Sequence, residues 1–240
     1  MARVQIIGSG NAFNMDGRAH ACYLIESDLL LDCGASSVLR MQSLHVDLSS
    51  IAGVLFTHFH GDHLAGLPFL LLNYKYILKR SESLTILGPR GIQETCERLL
   101  ELTYPGMTFE FPIHYFEIAS GRDVAFRDKT IRGMPVTHRP ESLGYRITWE
   151  KDSSRRTFAF SGDAAYDSQL FELVRGVDLA VVELSLVEND GSVAHVALSE
   201  VRDGSLRSQR VVYSHVYDEL ANLARMEGLT VAEDGMILEF

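Results

Sequence analysis

Three histidines and an aspartate fall within six residues at His58-Phe59-His60-Gly61-Asp62-His63, directly after an apolar run that ends at Thr57. Neutral imidazoles and a carboxylate are the donors that suit Zn²⁺, Mn²⁺, Fe or Ni²⁺, and a turn at a strand end can aim all four side chains into one volume. A chance cluster in a surface loop is the plain alternative, but such density is rare in a chain with nine histidines. One cluster cannot complete two metal sites, so partners must come from elsewhere. Three candidates share one context, a polar donor where an apolar run ends: Met134-Pro135-Val136-Thr137-His138, Phe158-Ala159-Phe160-Ser161-Gly162-Asp163 and Val211-Val212-Tyr213-Ser214-His215. Alone, each reads as a strand-end residue bonded to backbone. Beside the cluster, each reads as a ligand.

The elements that must position these donors alternate short β-like runs with turn signals. Residues 4–7 read as a first strand, and 22–25 with 29–31 as a hairpin about Glu26, Ser27 and Asp28. Residues 53–57 read as a buried strand. Residues 67–79 are apolar almost all round with Pro68 in the first turn, which predicts a buried helix. A strand at 85–87 and a helix at 92–102 follow. Further strands are expected at 109–111, 115–118, 124–126, 130–136, 143–149, 157–161, 179–182, 211–214 and 237–240, and further helices at 167–175, 199–206 and 218–227. Strands with interspersed helices point to sheets covered by helices on their outer faces.

The pattern His-x-His-x-Asp-His, followed by His138, Ser161-Gly162-Asp163 and Ser214-His215, resembles the metallo-β-lactamase superfamily in its ribonuclease Z and phosphodiesterase branch. Asp32-Cys33-Gly34, Gly88-Pro89 and Gly144-Tyr145-Arg146 resemble further motifs of that family, and 178–183 resembles the strand before its His-Glu pair, with Val182 where that His would be. The resemblance implies one α+β domain over residues 1–240: a four-layer αβ/βα sandwich of two mixed β-sheets with helices outside. It assigns His58, His60 and His138 to one metal and Asp62, His63 and His215 to the other, with Asp163 bridging both and Asp32 orienting the site from behind. Asp62 is also a candidate catalytic residue.

Two divalent cations would contribute about +4, and Asp62, Asp163 and a bridging hydroxide would remove about 3, leaving a cleft that attracts an anion. The reading this supports is a hydrolase in which a metal-bound hydroxide attacks the phosphorus of a small phosphodiester or nucleotide, with Zn²⁺ the expected metal and Mn²⁺, Fe or Ni²⁺ acceptable. Transfer-RNA 3′ processing is its most specific version. The short interval from His138 to Asp163 leaves no room for the long insertion with which ribonuclease Z enzymes grip tRNA, so nucleic acid is not favoured. The same donors would serve a sulfatase, lactonase or thioesterase. A non-catalytic metal sensor is the third reading, opposed by the intact set of seven donors. His195 resembles the family's late histidine near the leaving group, but Val196 and Ala197 follow it where the family has Ser or Thr. General acid, phosphate contact and structural loop histidine all stay open. For His20 and Arg18, in a loop where the family's substrates approach, substrate contact and plain surface residues are equally open.

Composition narrows the field. Hydrophobic residues make up 46% and charged residues 22%, ordinary globular usage. The longest uncharged apolar run, 64–74, is too short to span a bilayer. The run at 4–7 is shorter than a secretory core, so a soluble cytoplasmic protein is expected. Three scattered cysteines give no disulfide framework. A net charge of −10 gives no support to a nucleic-acid partner, although a local basic groove can reverse the field. Arg122, Arg127, Lys129 and Arg132, and Lys151, Arg155 and Arg156, read as solvated surface charge. Gly8-Ser9-Gly10 fails as a dinucleotide fingerprint, because Phe13 stands where a third glycine is needed. A homodimer is the expectation from the family and from the frequency of two-fold oligomers.

Overall fold

The computed structural model describes residues 1–202 and 204–240. Strands β1 (Arg3–Gly8), β2 (Cys22–Ile25) and β3 (Leu29–Leu31) form an antiparallel meander. The chain then changes habit. β4 (Gly53–Leu55), β5 (Leu84–Gly88) and β6 (Ile113–Glu117) pair in parallel beside β3. Parallel neighbours need long crossovers, and these hold α1 (Ser37–Ser43), α2 (Gly61–Leu64), α3 (Leu67–Leu72) and α4 (Ile92–Thr103). The second half repeats the scheme. β7 (Asp123–Phe126), β8 (Lys129–Pro135), β9 (Leu143–Lys151) and β10 (Ser154–Phe160) are antiparallel neighbours. β11 (Leu179–Glu183) and β12 (Val211–Ser214) then add in parallel, with α5 (Ser168–Val174), α6 (Leu198–Val201) and α7 (Asp218–Met226) in the connections. β13 (Ile237–Glu239) returns to pair with β1.

Among the described residues the two sheets run β13-β1-β2-β3-β4-β5-β6 and β12-β11-β10-β9-β8-β7. Period-two alternation sends successive side chains to opposite faces, and apolar side chains stand on the inner face of each sheet and on the outer face where helices cover it. The inner faces meet in one core: Ile6, Tyr23, Leu31 and Leu55 from the first sheet pack with Tyr145, Ile147, Trp149 and Phe158 from the second. Outside, Val38, Met41, Leu67 and Ile92 cover Ile7, Val54 and Ile86, while Leu170, Leu173 and Leu220 cover Ala159, Ala180 and Val182. Each large side chain buried in these layers stabilises by about 1.5–3 kcal/mol. The layer order is the αβ/βα sandwich that the sequence motifs imply.

Local departures have physical causes. Residues 109–111 form no strand; Phe111 is buried against Tyr74 and Phe109, so its alternation reflects aromatic packing. The helix expected over 67–79 continues past Leu72 as a wider π turn, Asn73–Ile77. Of the helix expected over 199–206, only Leu198–Val201 forms, and residue 203 lies outside the described residues. Lys129 is not solvated: it is 2% exposed and paired with Asp28 at 2.8 Å and Asp128 at 2.7 Å.

Candidate metal centre

Strands β3 and β4 are parallel, as are β10, β11 and β12, and β8 shares the direction of β10 because both oppose β9. Their carboxyl ends therefore lie at one rim of the sandwich, where ligand sites in such sheets form. Asp32 follows β3, the 57–63 segment follows β4, His138 and Asp163 follow β8 and β10, Glu183 ends β11, and His215 follows β12. Close approach at the rim needs two glycines. A Cβ on Gly162, at φ +57, would lie 2.8 Å from the Thr57 side chain, and one on Gly34 would lie 2.0 Å from the Asp62 carbonyl oxygen.

The seven residues expected as ligands converge into two groups. His58, His60, His138 and Asp163 form one, and Asp62, His63, Asp163 and His215 the other; within each group the donor atoms lie within 4.8 Å of one another. Asp163 belongs to both, and its two oxygens divide the labour. Oδ2 lies 3.9 Å from His58 Nε2 and 3.7 Å from His138 Nε2, whereas Oδ1 lies 3.1 Å from His63 Nε2 and 3.4 Å from His215 Nε2. Asp62 Oδ2 closes the second group at 3.3 Å from both His63 and His215.

Most of the ring nitrogens facing away are tied down. Asp32 Oδ2 lies 2.8 Å from His63 Nδ1, while its carboxylate also accepts from Thr57 N and Oγ1. His58 Nδ1 meets Thr57 Oγ1 at 3.0 Å, His138 Nδ1 the Ala194 carbonyl at 3.0 Å, and His215 Nδ1 Ser185 Oγ at 2.8 Å. Partners of this kind fix the tautomer and leave Nε2 free to coordinate. His60 differs, presenting Nδ1 3.2 Å from His138 Nε2.

The interior of the centre is under-satisfied. His58 Nε2, His63 Nε2 and Asp163 Oδ1 are buried with no hydrogen-bond partner among the described residues. Buried polar atoms left so cost about 1–3 kcal/mol each, a penalty that cations would remove. The orphaned nitrogens and the shared carboxylate fit two divalent ions. Burial, then the neighbouring His63, pushes His58 down to about 2, so its imidazole is neutral as a ligand must be. Burial and His138 lower His60. Burial opposes ionisation of Asp62, but the His215 hydrogen bond and the neighbouring His63 hold it well below the usual carboxylate range. Asp163 behaves alike, its burial outweighed by the charges of His215 and His63.

His195 sits beside these groups. Its ring centroid is 4.8 Å from that of His138 and 6.2 Å from that of His215. Nδ1 lies 3.0 and 3.1 Å from the two oxygens of Glu183, which is itself buried and also accepts from Ala164 N and Ser185 Oγ. Burial lowers the His195 pKa, but the Glu183 hydrogen bond and charge outweigh it, raising it to about 9. The structure thus adds Glu183 and Ser185 to the residues expected from the sequence. The available signal was an acid closing the apolar run Leu179-Ala180-Val181-Val182, the same context that marks the ligands.

His20 and Arg18 are not free surface residues. His20 is 8% exposed, with Nδ1 accepting from Ser36 N and the ring also bonded to the Ala12 backbone. Arg18 bonds Asp218 at 2.6 Å, Ser9 and the Ala232 carbonyl. Both brace loops. His45 and His114 are exposed.

The Beta-lactamase superfamily domain model matches residues 28–215, a span that takes in every one of the seven candidate ligands. The chain belongs to the beta-lactamase superfamily. Among curated superfamily members it is similar to a Ribonuclease Z from Ignicoccus hospitalis, 30% identical over 161 residues (66% of this chain and 52% of that one). A Ribonuclease Z from Listeria innocua is 38% identical over 125 residues, 51% of this chain and 39% of the other. The chain spans about half the length of the curated relatives it matches. Three solved superfamily structures share the fold: the Bacillus subtilis metallo-beta-lactamase fold protein YhfI (TM-score 0.79, 21% identity, 100% of this chain and 99% of that one), human tRNase Z, short form (0.76, 22%, 99% and 98%), and a diphosphatase from the PhnP family (0.77, 18%, 100% and 98%). No helix among the described residues is long and apolar enough to cross a membrane.

Proposed function

We propose that this superfamily member is a dinuclear metal-dependent phosphodiesterase, built as one unit over residues 1–240. The observation that carries the reading is the sharing of Asp163 between two donor groups beside a histidine held by Glu183. Two divalent cations, Zn²⁺ by preference with Mn²⁺, Fe or Ni²⁺ acceptable to the same donors, would supply Lewis acidity at the phosphoryl oxygens.

The chain's own groups do the rest. His58, His60 and His138 would hold one ion and Asp62, His63 and His215 the other, with Asp163 offering an oxygen to each. Asp62, kept ionised, orients the attacking water. His195 holds a proton at neutral pH, and with Nδ1 committed to Glu183 its Nε2–H is the free donor for the leaving oxygen. This supports the acid role for His195 over a purely structural one.

The substrate is a phosphodiester of nucleotide or RNA origin. The name of the curated relatives weighs toward RNA, against the small molecule expected from the sequence. Between His138 and Asp163, however, β9 and β10 join through only Asp152 and Ser153, both at positive φ, so no arm projects there to grip a large RNA. Sulfate ester, lactone and thioester substrates are favoured by no feature of the site.

The test is hydrolysis of bis-p-nitrophenyl phosphate, a 2′,3′-cyclic nucleotide and a precursor tRNA, before and after chelation, with metal content measured in parallel. Chelator-sensitive turnover of any of the three with about two metals per chain supports the reading. Two metals with turnover confined to carboxyl, thio- or sulfate esters overturns it.

A further inference from the structure

The outer face of the second sheet is only half covered. At the metal end α5 lies on it so closely that a Cβ on Gly144 would meet Leu173 Cδ2 at 2.4 Å. Toward the other end the face is bare and polar. Thr130, Thr148 and Thr157 pair in register across β8, β9 and β10, forming one row, and Arg132 pairs with Arg146 in the next. With Arg155, Asp123, Gly176 and Val177 they line a concavity of about 250 Å³.

Its chemistry is lopsided. The one acid in the lining, Asp123, is consumed by Arg132 through a two-pronged pair at 2.6 and 3.0 Å. Arg146 is half-buried and locked by the carbonyls of Glu172, Leu173 and Arg175, which orients its guanidinium. The Arg155 side chain and the three threonine hydroxyls have no partner among the described residues, although Glu150 stands opposite Arg155 in the register. Three guanidiniums therefore crowd one recess of a chain whose net charge is −10. Arginine forks and hydroxyl donors match the oxygens of a phosphate, and the lining holds no aromatic ring on which a base could stack.

We propose that this recess is a phosphate-binding site, separate from the metal centre. Thr157 precedes Asp163 by six residues, of which only the stretch to Phe160 is strand, so the recess lies toward the opposite end of β10, at most roughly 20 Å from the donor groups at about 3.3 Å per residue. It recognises the phosphate group itself, whether free or in a polynucleotide backbone. Arg132 and Arg155, which read as solvated charge in the sequence, become ligands of that group.

The experiment is titration of the chelated full-length protein with inorganic phosphate, followed by thermal shift and by amide chemical shifts of β8–β10. A parallel arm uses a fluorescent single-stranded oligonucleotide followed by anisotropy. Chelation silences the metal centre, so failure of the phosphodiesterase reading leaves this result untouched. Saturable phosphate binding that Arg155→Ala and Thr148→Val each weaken about tenfold, with the ligand-free melting temperature unchanged, is expected. Oligonucleotide binding weakened by the same substitutions and by salt identifies a backbone phosphate as the source; phosphate binding alone identifies a free one. Absence of binding in both arms, binding indifferent to both substitutions, or shifts confined to the 57–63 loop, the sign of an adventitious ion only, overturns the proposal.

Discussion

Replacing Asp32 by Asn should unseat one cation without disturbing the fold. Asp32 is fully buried and accepts from Thr57 N at 2.8 Å through Oδ1, and meets Thr57 Oγ1 at 2.9 Å and His63 Nδ1 at 2.8 Å through Oδ2. An asparagine that keeps its oxygen toward Thr57 N must turn its NH₂ toward His63. Nδ1 then becomes an acceptor, and the ring proton moves to Nε2, the atom that faces Asp62 and Asp163. A protonated nitrogen cannot coordinate. Losing one charge-assisted bond of about 1.5–3 kcal/mol and the correct tautomer should weaken that ion about 10–100-fold, the range typical when a carboxylate behind a metal-bound histidine is lost. The His58–His60–His138 group should lose less affinity: His138 is backed by the Ala194 carbonyl, and only Thr57 Oγ1, behind His58, gives up a bond to Asp32. Competition with a chromogenic chelator, together with metal counting by mass spectrometry, reads both numbers. Two ions retained at undiminished affinity would refute the reasoning, because His63 would then not depend on Asp32 for its tautomer.

Four further outcomes follow from the same geometry. Because Glu183 raises the His195 pKa, turnover should fall on the alkaline side as that proton is lost; Glu183→Gln should move the limb to lower pH, and His195→Ala should abolish it with about a 10²–10⁴-fold loss of kcat. The same raised pKa stabilises the metal-free fold below the unfolded value of 6.5, and this contribution fades as pH climbs to about 9, so Glu183→Gln should flatten urea stability across that window. Lys129→Met leaves the mostly buried Asp28 without its close partner and should cost roughly 3 kcal/mol in urea unfolding. Ser153→Gly relieves a positive φ of 59° in the β9–β10 turn and should add up to about 1 kcal/mol by the same measurement.

The site was more legible than its supports. Four candidate ligands close apolar runs, and a chain that turns sharply after a buried strand must present that residue at the sheet rim, so His58, His138, Asp163 and His215 could be read locally. Glu183 obeys the same rule, but its partner His195 lies beyond an irregular loop, and no local pattern joins them. Helices α1 and α2 escaped notice because they are seven and four residues long, too short for a helical period to stand out. The threonine–arginine recess was invisible for a different reason. Its residues alternate with core positions on three strands, so each looks like an ordinary outward-facing side chain until the register places them together.

Asp62 and His215 meet across 153 residues of chain, and Asp32 and His63 come from the half that Asp163 and His215 do not. Both ions would therefore need the two sheets closed on each other, and the second would need β12 as well. Tight uptake of that ion marks the end of folding, and its rate of capture would time the docking of the two halves in a refolding experiment. A chain still emerging from synthesis, with β12 unmade, would hold only the first ion, so metal loading would proceed in a set order.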